Sequence, residues 1–333
     1  MSNYRIKLER ADEKLDTSVK TVELGSKKFT TPYKSLSSSG PGGVTEIFFS
    51  FDADKLNKGY DGKSNLDKLP GMCKKDSINL IMPSYADRTI TDRNLSLMEN
   101  RIHPCTDAVI IPRWDGALSY NSESSLAEDL WGLTERYIEE VRRINGKLII
   151  GNIPLNKSQS VVDLLLKNYL DKGITSFVLD YGRCQVQTKA HLSRSIIKKL
   201  DDHTSDKNYL MYSMNMKKSH DYNEIKPADD FLTFTDGFDI MGNFHLSAGG
   251  NAGMAKQFSR KDWTYVEVGL NGENYNVFKS NNEKGMNSEA KAVQQAIIDS
   301  GTAIKLIKSK RGAEEYIRGY SQTNLDMCGL TWN

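Results

Sequence analysis

The residues best placed to do chemistry in this sequence are carboxylates that close or interrupt apolar runs. Asp180 ends ITSFVLD and is followed by Tyr181 and Gly182; Asp115 follows DAVIIP in RWDG; Asp239 lies between Phe238 and Ile240 in GFDIM. Acids gathered at one opening supply general acid/base or nucleophilic chemistry. Asp239 stands out, because a carboxylate flanked by apolar residues in a strand needs a partner or a chemical task. Asp180 and Asp115 each lie within two residues of a glycine, so ordinary turn chemistry accounts for them as well as function does. Asp236, directly before Gly237, reads as a turn residue. Ser84, Trp114, Asn152, Asn215 and Asn243 stand at the ends of other apolar runs. His245 reads as a structural histidine. The stretch LSAGGNAG follows the Asp239 run, and its Gly249 and Gly250 allow a backbone to approach a ligand closely.

These residues need elements to position them, and the apolar pattern supplies candidates. EIFFSF (46–51), INLIMP (78–83), DAVIIP (107–112), KLIIGNI (147–153), ITSFVLD (174–180), NYLMYSM (208–214), FDIMGNF (238–244) and WTYVEVG (263–269) read as strands. Between them lie helical patterns. The clearest spans 124–144, where Leu126, Leu130, Leu133, Tyr137, Val141 and Ile144 form one apolar face, with Gly146 beyond as a stop. Further helices are expected at 91–101, 158–172, 188–202, 222–233 and 286–300, followed by a final αβ segment rich in Lys and Arg. Residues 1–20 read as a polar lead-in, 21–31 as a hairpin around Gly25-Ser26, and 52–76 as an irregular insertion. Alternation with short loops implies parallel strands and right-handed crossovers. A closed barrel and an open doubly wound sheet both satisfy this. The strand count, about eight, favours a (β/α)8 barrel of the TIM type with insertions, as one domain over 21–333. No GxGxxG follows the first strand and no GxxxxGK[ST] occurs, which weakens the open-sheet reading. In a barrel, the strand-end residues named above would share the C-terminal mouth.

Composition narrows the classes. The chain has 333 residues, 38% hydrophobic and 26% charged, an ordinary globular balance long enough to bury a sizeable core. A net charge of +2 gives no electrostatic argument for nucleic acid. Cys73, Cys105, Cys184 and Cys328 are dispersed, with no CxxC, as expected of reduced thiols in a cytoplasm. The dispersed histidines draw no zinc site. No signal peptide or membrane span is expected, because the first residues lack an apolar core and no apolar run nears ~18 residues.

The order of segments resembles the tRNA-guanine transglycosylase superfamily, including its DNA-acting 7-deazaguanine relatives. GSKKFTTPYKSLSS stands where that family has a hairpin leading to Thr-Pro and the first barrel strand. DAVIIPRWDG, GNIPL, FVLDYG, YLMYSM and TDGFDIMGNFH follow in the family's order, and the match covers most of residues 21–250. Three motifs depart from it. Gly242 occupies the place of the family's nucleophilic Asp, Pro83-Ser84-Tyr85 replaces an Asp-Ser-Gly-Gly turn, and the Cys/His zinc motif is absent. The resemblance implies base exchange by double displacement. A carboxylate attacks C1′ of a guanosine nucleotide, and a 7-deazaguanine base then displaces the enzyme. On that reading Asp239 acts as nucleophile from a shifted position. Asp115 and Asp180 bond the purine edge or move its proton, and Asn152, Tyr181, Gly182 and Ser84 line the base pocket. The implied partners are DNA or tRNA and a 7-deazaguanine base, with no cofactor and no metal; a homodimer is compatible. The rivals are a non-catalytic transglycosylase-like subunit or nucleic-acid-binding module, and an unrelated barrel enzyme acting on a small sugar or phosphate ester.

Overall fold

A computed structural model describes residues 3–37, 43–58, 65–119, 123–144, 146–204, 206–217, 226–246, 254–270 and 274–322. Its centre is a parallel sheet of ten short strands. In spatial order these are Tyr33–Lys34, Ile240–Met241, Met211–Met214, Ser176–Asp180, Ile149–Pro154, Ala108–Ile110, Ile78–Tyr85, Val44–Phe51 and Leu36–Ser37, with Arg113–Trp114 added beside Ile78–Tyr85. The first and last members of that order are consecutive in the chain, parted only by Ser35. The sheet therefore curls into a nearly closed, barrel-like ring flanked by helices.

The alternating faces of these strands explain the curl. Val44, Ile78, Leu80, Met82, Ala108, Ile110, Ile150, Val178, Tyr212, Met214 and Ile240 pack together inside the ring. The intervening residues, such as Ile47, Ile81, Val109, Phe177 and Leu179, point outward into a second core shared with the helices. The helix Gln159–Asp171 illustrates the outer layer. Val161, Val162, Leu165, Leu166 and Tyr169 form its buried face, each contributing about 1.5–3 kcal/mol of burial. Just past its end, Gly173 takes a left-handed conformation (φ 70°), which lets the chain turn at once into the next strand.

One end of the ring is plugged. Strands Tyr4–Ala11, Ser18–Leu24 and Lys27–Thr30 form an antiparallel sheet whose Val22, Leu24 and Phe29 join the inner core. The expected hairpin at Gly25-Ser26 is thus present, but residues 1–20 are not a mere lead-in. Tyr4, Ile6 and Leu8 alternate with Arg5, Lys7 and Glu9, the period of a half-covered strand.

Other expectations are corrected nearby. Thr264–Gly269 is a strand, but it pairs antiparallel with Met254–Ser259 outside the ring. The ring is completed instead by the split segment Tyr33–Lys34 and Leu36–Ser37. The helix expected at 286–300 starts earlier, at Tyr275, and runs to Ser300 along that split segment. There Asn287 bonds the backbone of Lys34 in both directions and Glu283 accepts from Ser37 N–H. The region 222–233 contributes, among described residues, Lys226–Pro227 and the short helix Asp229–Leu232. Of the final segment, the described residues form the helices Ile304–Lys308 and Arg311–Gln322. The insertion 52–76 holds helices Ala53–Lys58 and Leu69–Met72. No helix among the described residues is long and apolar enough to cross a membrane.

Candidate functional site

Parallel strands put all their C-terminal ends at one mouth, and inward-facing residues near those ends line it. One polar cluster stands there, and a second, reaching down inside the ring, is linked to it. The first is built on Arg113, which follows the Ala108–Ile110 strand. Its Nη1 donates to Asp180 Oδ2 at 2.6 Å and its Nε donates to Asp115. Ser84, near the end of Ile78–Tyr85, donates its hydroxyl to the other oxygen of Asp115. Asp180, the last residue of its strand, also accepts from Asn215 Nδ2 at 3.0 Å and Gly182 N–H at 2.9 Å. Burial pushes the Asp180 carboxyl above the usual aspartate range, while Arg113 and the two donors pull it back part of the way. Asp115 differs in access, for its side chain is 33% exposed against 2% for Asp180.

The second cluster surrounds Glu46, on the Val44–Phe51 strand. Burial alone would raise this carboxyl. His245 together with the hydroxyls of Ser35 and Tyr212 more than offsets that and holds it at about 2. The backbone N–H of Asn243 adds a further bond, at 3.1 Å. His245 meets Glu46 through Nε2, and its ring stacks on Phe48 with centroids 4.8 Å apart and planes 8° apart. Asn215 joins the clusters. Its Nδ2 donates to Asp180, and its Oδ1 accepts the His245 N–H at 2.9 Å.

The structure therefore brings Ser84, Asp115, Asp180 and Gly182 together. Gly182 takes φ 52°, and a Cβ there would run into the Asn156 side chain, so a glycine keeps this turn tight against Asp180. Asn152 is buried beside them, with Nδ2 directed at Ile111 O and its backbone bonded to the Tyr169 hydroxyl. A cleft of about 20 Å³ lined by Arg113, Asn152 and Pro154 adjoins it, room for roughly one water. A larger cleft, about 290 Å³, lies outside the ring between Tyr33 and the Tyr275–Ser300 helix and shares no residue with the mouth.

Two expected site residues lie elsewhere. Tyr181 is fully buried and faces outward, packed on Phe238, because strand alternation turns it away from the interior that Asp180 faces. Asp239 stands at the opposite end of the ring. It precedes Ile240, whose partner is Tyr212, whereas Asp180 pairs with Met214. That register puts Asp239 roughly 10 Å lower along the strands. Its carboxylate accepts from Lys20 Nζ at 2.8 Å, Thr31 Oγ1 at 3.3 Å and Met211 N–H at 2.9 Å. Burial raises this carboxyl and Lys20 draws it back down. Asp239 thus ties the N-terminal sheet to the barrel and does not reach the mouth as a nucleophile. Nor could a carboxylate stand at Gly242, where a Cβ would overlap Ser213 O and the Tyr212 ring. Gly249 and Gly250 lie outside the described residues.

Sequence reasoning missed Glu46, Phe48 and Arg113. Glu46 carried the same signal as Asp239, a lone acid at an apolar strand, and only its facing decides the difference. Among the described residues no three potential ligands converge as a metal site. No protein-family model matches the chain, and no curated protein is significantly similar to it.

Proposed function

We propose that the chain is a (β/α)8 barrel of the TIM type whose C-terminal mouth binds a guanine-type base, free or carried on DNA or tRNA. Ten strands reduce to eight when the two halves split at Ser35 count as one strand and Ala108–Ile110 joins Arg113–Trp114 as another. The observation that carries the binding reading is Arg113, one guanidinium bridging two carboxylates from the strand ends on either side of Ile149–Pro154, with Asp115 still open to solvent. A half-open carboxylate accepts two parallel hydrogen bonds. The N1–H and 2-amino edge of guanine or a 7-deazaguanine offers two donors in that arrangement. Phe48 and His245 add a flat stacked surface of the kind on which bases rest.

The test is calorimetric titration with 7-deazaguanine and guanine. Saturable binding that weakens at least tenfold in Asp115→Asn supports the reading; no binding of either base removes it.

Covalent base exchange is a separate step. The burial of Asp239 against Lys20 and the lack of room at Gly242 favour the binding module over the exchanger. Incubation with guanosine-containing DNA or tRNA, then denaturation and mass spectrometry, distinguishes them. A trapped glycosyl adduct, mapped to Asp115, restores exchange as the activity. Its absence with both polymers leaves binding.

A further inference from the structure

We propose that Glu46 and His245 form a carboxylate–imidazole pair that exchanges a proton with the base bound at the mouth. The geometry separates their roles. Glu46 has no exposed side-chain surface, and both its oxygens are engaged by Ser35, Tyr212, Asn243 N–H and His245. It cannot meet a ligand and acts only through the ring it holds. His245 is different, with 12% of its side chain exposed. Three contacts fix its ring: Glu46 at Nε2, Phe48 beneath its face, and Asn215 on its backbone. With Nε2 on a carboxylate, the neutral ring carries its proton there, and Nδ1 presents the lone pair. A histidine oriented by a buried acid is the arrangement used for general acid/base work. The fold has committed a buried carboxylate, itself held by three other donors, to one ring at the working end, well beyond what packing one half-buried histidine requires.

The step balances within the pair and the base, and rests on the base-binding reading above. In the free base, the N9–H, which Asp115 does not hold, gives its proton to Nδ1, and the electrons of that N–H bond stay on the base as an anion. The imidazolium formed is held against the Glu46 carboxylate. The reverse transfer returns the proton. Among the described residues, the titratable groups bonded to His245 are Glu46 directly and, through Glu46, Tyr212; Asp180 lies beyond Asn215. Glu46 is a positioning residue, and His245 is the one that touches the base.

Two readouts test this. In protein labelled with ¹⁵N-histidine, the His245 ring at high pH should show the Nε2–H tautomer, and Glu46→Gln should lose that preference. In the second, ultraviolet difference spectra of bound 7-deazaguanine follow its ionisation against pH. Read at saturating base, His245→Gln should remove the pH-dependent anion signal, and His245→Asn guards against a folding failure of one variant. An Nδ1–H tautomer in the wild type, or an anion signal unchanged in both His245 variants, overturns the pair while base binding stands. Failure of the wild type to bind 7-deazaguanine overturns the base-binding reading, and the proton step falls with it.

Discussion

The two ends of the ring each bury an aspartate against a cation, and they differ in where the hydrogen bonds lead. At the N-terminal end the network closes on itself. Asp239 takes Lys20, Thr31 and Met211 N–H, and Lys20 uses another proton on Tyr209 O. At the C-terminal end the network runs outward. Asp180 takes Arg113, and the same guanidinium holds Asp115 at the surface. Both buried acids are pushed upward by desolvation. Perturbation alone therefore does not mark a working site, because structural ion pairs produce it too. What separates the two ends is an accessible group at the end of the chain of bonds.

That contrast can be broken by substitution. The largest effect is expected at the closed end. Lys20→Met strands a buried carboxylate and should cost about 3–5 kcal/mol in urea unfolding, most of it recovered by adding Asp239→Leu. A cost below about 1 kcal/mol would mean that Asp239 is not sealed there. Next comes Asp180→Asn. Arg113 keeps Asp115 as a partner, so the expected loss is smaller, about 2 kcal/mol by the same assay. Acid titration probes Glu46. Its carboxyl is held at about 2, below the ordinary 4.5, so its contribution is complete above that ordinary value and is lost as pH falls toward 2. The urea midpoint of Glu46→Gln should accordingly fall less than that of the wild type between pH 5 and pH 3. Equal falls would remove the carboxylate from the acid response. The smallest stability change is expected at Asp115→Asn, under about 1 kcal/mol, because its ion pair is partly solvated.

Much of the scaffold was legible from periodicity. The strands around Ile78, Val109, Ile150 and Val178 are apolar on both faces, as a parallel sheet covered by helices demands. The Glu123–Ile144 helix announced itself by its stripe. Short, polar elements were not legible. Tyr33–Lys34 and Leu36–Ser37 close the ring through backbone bonds to neighbours more than 200 residues away on one side and about ten on the other, and no local pattern encodes that. At the site, Asp115, Asp180 and Ser84 were found because strand ends in parallel folds share a mouth. Asp239 and Glu46 look alike in sequence, each an acid at an apolar run. Facing and depth are set by register, which a single sequence does not display: Asp239 falls one residue before the paired stretch of its strand, and Glu46 falls in step with Leu80 inside the ring.

The most direct test sets the two ends against each other by calorimetry with 7-deazaguanine. Asp115→Asn should weaken binding at least tenfold, while Lys20→Met with Asp239→Leu should leave the affinity within about twofold of the wild type. The opposite pattern, full affinity without the Asp115 carboxylate and loss on removing the Lys20–Asp239 pair, would contradict the assignment of the C-terminal mouth as the working end.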